Sequence, residues 1–453
     1  MRGSRIVPAL LAASALLLAA AALARADDSA PLTLQQCVDY AYAHNRALQS
    51  ARAGVGMRDA QVRQAVSTFL PSAAIDGFVT HYGSAPNQSV ILPPDFQQLL
   101  EANNVSGNLT FATTPQTAQD YRVTVSEPLF TSGKLYTALE IRRGERAVAA
   151  LDETAAKADV GLAVVRAFNE VLLAEETVAA QEEIVRLAET IVTDARHRHE
   201  RGSASALDLQ QADADFATAQ LPVLQARNEL PYRINSLKRV IGWALDQPLA
   251  VRGELAFRPR STDTAELVHS ALQQRADIRE LDELVQVRER QLQSVMLTNT
   301  PTVSLTGAYE FYQKQRLDLP PQVLSGGLVL SWPLFEGLSL SAKLDEARLA
   351  REQAAIQRDE RRAALQLDVE KAVADLEVTE AGCRAHHSVL EAARERVRTA
   401  EEGFALGHIS RIDLARERHA LLMARLDDAQ ARFDHVVTKA RLNYLIGAPP
   451  EDL

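Results

Sequence analysis

The sequence repeats itself. Residues 123–242 lie over residues 328–447 at a constant shift of 205 positions without a gap. Pro128-Leu129-Phe130 falls on Pro333-Leu334-Phe335, Gly202 on Gly407, Leu207-Asp208-Leu209 on Ile412-Asp413-Leu414, and Ile241-Gly242 on Ile446-Gly447. A second stretch, 34–77 over 264–307, aligns at a shift of 230 and sets Pro71 on Pro301. The difference of 25 residues sits between the proline pairs as a longer first loop. Such a match implies an internal duplication whose halves adopt one fold and pack about a pseudo-twofold axis.

The first residues read as a secretory signal over 1–26: Arg2 and Arg5, an apolar core over 6–23 broken by Pro8 and Ser14, and Ala24-Arg25-Ala26 as the cleavage site. An uncleaved anchor is the rival reading. Cleavage before Asp27 removes three arginines and takes the formal charge from −10 to −13, which argues against a nucleic-acid partner. No cysteine follows the cleavage site to carry a lipid anchor. After Leu23 no apolar run approaches the roughly 20 residues of a membrane helix, so a mature chain that crosses a bilayer must use strands. Cys37 and Cys383 occupy unrelated positions of the two halves, without metal-ligand spacing around either, and a disulfide between them is not expected. No nucleophile and base, phosphate-binding glycine loop or catalytic carboxylate pair emerges, so neither an enzyme nor a cofactor is expected.

No proline interrupts 129–221 or 334–448, and both spans are rich in Ala, Leu, Glu, Arg and Gln. Val160, Val164, Phe168 and Val171 recur at helical spacing, as do their equivalents Leu365, Val369, Val373 and Leu376. Leu422, Leu426, Ala429, Phe433, Val437 and Ala440 continue the period after Gly407. Four main helices are expected, at about 133–199, 205–241, 338–404 and 410–446, with shorter ones at about 33–68 and 263–297. The stripes read as seams between helices. Pro222 and Pro231 predict a kink or irregular turn in the second of them.

After Pro301 the period becomes two. Val303, Leu305, Gly307, Tyr309 and Phe311 alternate with Thr302, Ser304, Thr306, Ala308 and Glu310, and Leu328, Leu330 and Trp332 continue the apolar face. Tyr121, Val123 and Val125 oppose Arg122, Thr124 and Ser126, and a weaker strand runs over about 72–82. Two hairpins follow, about 72–130 and 302–335, with strands of about 10 residues, a length that suits a tilted membrane strand. A soluble hairpin packed on helices would alternate equally well. Four strands cannot close a barrel, so a spanning version must recruit other copies: a dimer would supply 8 strands, a trimer 12. The loops at about 83–118 and 314–321 would then face the cell exterior. Trp332 and Tyr309 suit an interfacial aromatic girdle or packing where strands meet helices.

Two copies of helix, strand hairpin with a Pro-Leu-Phe exit, very long helix, Gly-x5-Asp turn and returning helix ending in Ile-Gly closely resemble the TolC family of outer-membrane efflux proteins. The resemblance covers nearly the whole mature chain, with the first repeat at 27–250, an inter-repeat linker at 251–262 and the second repeat at 263–453. It implies a mainly α fold with a β-barrel portion. Three copies would form a 12-stranded barrel in outer-membrane lipid, continued by a periplasmic α-barrel. It also implies a passive exit duct for efflux or type I secretion, working with a periplasmic adaptor and an inner-membrane transporter. A periplasmic coiled-coil scaffold or adaptor without a pore is the alternative.

The turns 202–208 and 407–413 match the family's periplasmic helix-to-helix turns. Glycine permits the reversal and the aspartates fall where a helix start favours negative charge. The resemblance implies that these turns close the tunnel entrance and receive the adaptor, through Gly202, Leu207, Asp208, Phe404, Gly407, Arg411, Ile412, Asp413 and Arg416, with Asp413 as a ring of three carboxylates. Two positions depart from the family: an acidic residue is replaced by Arg416 and a tyrosine by Phe404. Arg411 or Arg416 bridging to Asp208 or Asp413 is expected instead. The histidines of 196–199 and His386-His387 read as solvated surface, because neighbours one or two apart do not share a helix face.

Overall fold

A computed structural model describes residues 31–84, 87–103, 108–112, 117–260, 263–312 and 322–449. The expected signal, the loop at 314–321 and parts of the 83–118 loop lie outside these residues. Helices are α1 (Leu34–His44), α2 (Arg46–Ser67), α3 (Pro94–Glu101), α4 (Lys134–Glu200), α5 (Ala206–Ile241), α6 (Thr264–Gln274), α7 (Ala276–Met296), α8 (Ser339–Ala405) and α9 (Arg411–Ile446). Strands are β1 (Ser72–His81), β2 (Asn87–Ile91), β3 (Asn108–Ala112), β4 (Thr117–Phe130), β5 (Thr302–Tyr312) and β6 (Gln322–Ser331). The four main helices fall within about one residue of expectation, and α4 and α8, at 67 residues each, extend roughly 100 Å. No helix among the described residues is long and apolar enough to cross a membrane.

The residues form two compact units. The first takes the chain up to Val55, Ala149–Leu281 and Gln357 onward. Its core is built twice from equivalent residues. Val160, Val164, Phe168 and Val171 of α4 pack with Cys37, Val38 and Ala41 of α1 and with Leu237 and Ile241 of α5. Leu365, Val369, Val373 and Leu376 of α8 pack with Leu267 and Ala271 of α6 and with Leu442 and Ile446 of α9. Each fully buried aliphatic side chain is worth about 1.5–3 kcal/mol over its exposed state, so this doubled core is where the fold is anchored. Val165 meets Val436 and Ala440, and Ile184 and Leu187 meet Leu422, which sets α4 against α9. Val192 and Ala195 pack on Ala212 of α5, and Leu390 and Ala393 on Ala424 of α9, giving the side-by-side order α5, α4, α9, α8.

Two expectations are corrected here, the second in its irregular turn alone. The shorter helices are each broken in two, at Asn45 and at Arg275, where ψ turns to 129° and 128°. The Asn45 carboxamide oxygen accepts from the amides of Ala47 and Leu48 and so starts a new helix inside an unbroken apolar period. No irregular turn occurs at Pro222 or Pro231, since α5 is helical through both. Flanking ties to α4, Arg227 to Glu182 at 2.7 Å and Arg233 to Glu170 at 2.9 Å, hold the helix across the lost amides, and Pro231 lies on an exposed face. Within the linker, residues 251–260 pack on the first unit. Val251 bridges to Leu32, Leu255 is buried in the first core, and the Arg260 guanidinium donates to Asn443 at 2.8 Å.

The second unit takes Gly56–Val148 and Asp282–Ile356. Its four-stranded antiparallel sheet has the order β1-β4-β5-β6, so the two repeats' hairpins join through β4 and β5. The register sets Ile75, Val123, Tyr309 and Leu324 side by side, and Gly77, Tyr121, Phe311 and Gln322 likewise. One face therefore carries exposed Ile75, Val79, Tyr121, Val123, Val125, Leu305, Tyr309, Phe311, Leu324, Leu328 and Leu330. The other carries Asp76, Thr124, Thr306 and Ser325, with Arg122 paired to Glu310 at 2.6 Å. The 83–118 loop is not wholly irregular, because it holds the β2–β3 pair and α3. Exposed Trp332 donates its indole N–H to the Asn299 carbonyl at 3.0 Å, just below the sheet.

Candidate functional site

The expected site residues gather on two turns of the first unit. Gly202, Leu207 and Asp208 lie on the α4–α5 turn, and Phe404, Gly407, Arg411, Ile412, Asp413 and Arg416 lie on or beside the α8–α9 turn. Both turns are built alike. Gly202 and Gly407 take φ of 72° and 76°, a left-handed conformation that costs a side-chain-bearing residue more than glycine. The Ser203 amide donates to the Arg198 carbonyl and the His408 amide to the Gly403 carbonyl, each at 2.8 Å. The glycine amides close the shorter loops to His199 at 2.9 Å and Phe404 at 3.0 Å. Together these bonds satisfy the last carbonyls of each long helix and reverse the chain.

The return helices begin with reciprocal caps. The Asp208 amide donates to the Ser205 hydroxyl at 3.1 Å, and the Asp208 carboxylate accepts from the Ser205 amide at 2.9 Å and hydroxyl at 2.8 Å. Ser410 and Asp413 repeat the pattern at 3.1, 3.3 and 2.7 Å. These bonds hold both carboxyls below the ordinary range. For Asp208 the Ser205 amide contributes most, then its hydroxyl, with Arg198 adding attraction. For Asp413 the Ser410 hydroxyl leads, then its amide, with Arg416 assisting. Ser205 and Ser410 were not among the expected site residues, although a serine three before each aspartate is a capping signature.

The remaining site residues are mostly unpartnered. Leu207 is 72% exposed and Leu406, beside Gly407, is 71% exposed. Phe404 is exposed and Ile412 half-buried. Arg416 approaches Asp413 at 3.8 Å, whereas no ion pair reaches Arg411 among the described residues. One pair of equivalent positions exchanges charge: Arg196 faces Asp213 at 3.9 Å, and Glu401 faces Arg418 at 2.7 Å. His199 lies within 3.0 Å of the Ala204 carbonyl and His197 within 3.4 Å of Glu200, both exposed. No group of three His, Cys, Asp or Glu able to hold a metal occurs among the described residues. Cys37 and Cys383 are free, each buried in its own surroundings.

The family described as outer membrane efflux protein matches residues 37–243 and 267–448. Among curated relatives, the alkaline protease secretion protein AprF of Pseudomonas aeruginosa is 23% identical over 262 residues, 56% of this chain and 54% of the relative. Protein CyaE of Bordetella pertussis is 26% identical over 341 residues, 74% of this chain and 65% of the relative. The probable efflux pump outer membrane protein TtgC of Pseudomonas putida is 24% identical over 285 residues, 61% and 56% of the two chains. The chain thus spans between about half and two thirds of these relatives. Among solved structures, the Campylobacter jejuni CmeC outer membrane channel superposes with a TM-score of 0.73 at 17% identity, covering 91% of this chain and 85% of the other. The outer membrane protein VceC of Vibrio cholerae superposes at 0.68 and 16%, covering 92% and 97%.

Proposed function

The chain belongs to the outer membrane efflux protein family, the TolC family, and on that premise we propose that three copies form an outer-membrane exit duct. A periplasmic adaptor and an inner-membrane transporter would hand it substrates for efflux or type I secretion. The observation that carries this reading is the sheet. Its apolar face is exposed, its polar face carries the Arg122–Glu310 pair, and strands β1 and β6 are left as open edges. Apolar side chains on one face and polar ones on the other suit lipid outside and water within, and open edges in hydrocarbon demand further strands. Four strands from each of three copies make a 12-stranded barrel wide enough for a pore.

In this reading the paired turns are the periplasmic aperture. Asp413 contributes one carboxylate per copy, kept ionised by its cap and so able to attract cations and repel anions. Energy and direction come from the transporter, and adaptor contact shifts the tips towards an open population. Relatives divide between secretion and efflux by name, and the cargo of this chain is expected to follow its transporter. Membrane fractionation tests the proposal: the protein should sediment with outer membrane and leave it only with detergent, as a stable trimer. A monomer soluble without detergent would favour the scaffold reading instead.

A further inference from the structure

We propose that His435 is a proton-operated latch: its neutral ring holds the inter-repeat segment 251–260 across α8 and α9, and uptake of a proton releases that segment. The latch lies within one chain and does not depend on the channel reading.

The segment crosses the two helices on a series of polar ties. From α9, the Arg432 guanidinium donates to the Leu255 carbonyl at 3.1 Å, and Nε2 of His435 lies 3.3 Å from the Arg258 carbonyl. Further along, the Arg260 guanidinium donates to the Asn443 side chain of α9 at 2.8 Å, and the Arg260 amide to the Glu380 carboxylate of α8 at 3.0 Å. Among these ties, His435 is the one whose ordinary titration falls between pH 5 and 8. The duplication supplies a contrast. The equivalent position of the first repeat is Leu230, which packs on the first core and carries no titratable group.

His435 is wholly buried, with Phe257 of the segment edge-on to its ring at 5.0 Å between centroids. A carbonyl only accepts, so the proton of the neutral ring sits on Nε2 and Nδ1 is left as a lone pair. Nδ1 is buried and has no hydrogen-bond partner among the described residues. Protonation would place a second N–H there with nothing to receive it, and a charge out of contact with solvent. The surrounding charges do not reverse this. Glu380 of α8 attracts the imidazolium, but it already accepts from the Arg260 amide and pairs with Arg384 at 3.5 Å, and Lys439 of α9 repels it. Arg432, one turn back on α9, is held by Asp428 and the Leu255 carbonyl. The cavity beside the ring adds Glu254 and Arg258 of the segment, while α1 and α4 bring the uncharged Leu34, Gln35 and Asn169. Burial is the largest effect and holds the ring below its ordinary value of 6.5. What His435 contributes to the closed segment is therefore complete above 6.5 and is lost as pH falls below that value towards the folded one.

The test is amide exchange of the full chain in detergent, read on residues 251–260 at about pH 7.5, 6.5 and 5.5 and corrected for intrinsic rates. Opening of the segment should rise several-fold across that range, with a ceiling of about ten-fold for one group titrating near 6.5 when released. Residues 405–416, whose Asp413 cap titrates lower, are the internal reference and should stay flat. His435→Gln keeps an N–H for the Arg258 carbonyl but takes up no proton, so its segment should exchange equally at all three values. His435→Leu, which carries the first repeat's residue, should lack the acid response too and decides the comparison if the glutamine protein does not fold. Glu380→Gln should keep the response. A flat wild-type profile, an equal rise at 405–416, or a response that survives loss of His435 or vanishes with Glu380→Gln overturns the proposal.

Discussion

Ser410 and Asp413 hold each other across the start of α9: the serine hydroxyl accepts the Asp413 amide at 3.1 Å and donates to the Asp413 carboxylate at 2.7 Å. The carboxylate is therefore a structural cap as well as the acidic group of the proposed aperture. Its pKa lies below the ordinary 3.8, so its contribution to the tip is complete above that value and is lost as pH falls through the depressed one. Amide exchange of residues 405–416, corrected for intrinsic rates, should stay flat between about pH 7 and 5 and quicken only below the ordinary carboxylate range. Ser410→Ala should move the onset to higher pH, and an unchanged onset would separate the cap from the titration.

Gly242 and Gly447 end the two return helices at φ of 80° and 74°. They are not equally replaceable. A Cβ on Gly242 would stand 2.5 Å from the His44 carbonyl oxygen, while one on Gly447 would meet Gln274 at 3.4 Å or more. Gly447→Ala should cost about 1–2 kcal/mol, the left-handed penalty alone, and Gly242→Ala about 3 kcal/mol or more. Thermal denaturation in detergent should show a distinctly larger fall for Gly242→Ala. Equal falls would mean that the α1–α2 junction yields.

Asp277 is clasped by Arg275 and Arg361, each at 2.8 Å. Burial pushes its carboxyl up, but the hydrogen bonds and charges of the two arginines outweigh that and leave it below the ordinary range. Arg275 is only 9% exposed, so Asp277→Asn would leave a nearly buried guanidinium without a counter-charge, held only by the Tyr444 carbonyl, hydroxyl and ring. A loss of about 3 kcal/mol is expected near neutral pH. The stability that Asp277 confers on the wild type is present above the ordinary carboxylate value and disappears as pH falls through the folded one, so the two proteins should converge in acid. Denaturation compared at neutral and acid pH checks this, and a gap that persists in acid would contradict it.

The long helices were legible because their lack of proline and their doubled apolar stripes report the same thing twice. Val164 and Val369 show it most directly, since they stand at matching positions of the two repeats and both are wholly buried. The alternation on β5 likewise anticipated which side chains share a face. Other features had no such signal. The breaks at Asn45 and Arg275 sit inside a continuous apolar period, and the one at Asn45 is made by its carboxamide accepting from the Ala47 and Leu48 amides. The β2–α3–β3 insertion falls in the excess of the first repeat, where the second offers no counterpart. Pro222 and Pro231 read as interruptions because sequence alone does not reveal the ion pairs that brace α5 against α4. At the turns, glycine and aspartate stood out through the duplication. The serine caps went unread.

The central claim is that β1 and β6 are edges completed by other copies. In a Cys37→Ala/Cys383→Ala background, Ala74→Cys on β1 can be combined in turn with Ser325→Cys, Gly327→Cys or Val329→Cys on β6, all on the polar face of the sheet. Mild oxidation in outer membranes should convert at least one double-cysteine protein into a covalent trimer that reducing agent dissolves, while each single-cysteine parent stays monomeric on denaturing gels. Failure of every pair to link subunits, in a protein that also runs as a monomer on native gels, would contradict the account.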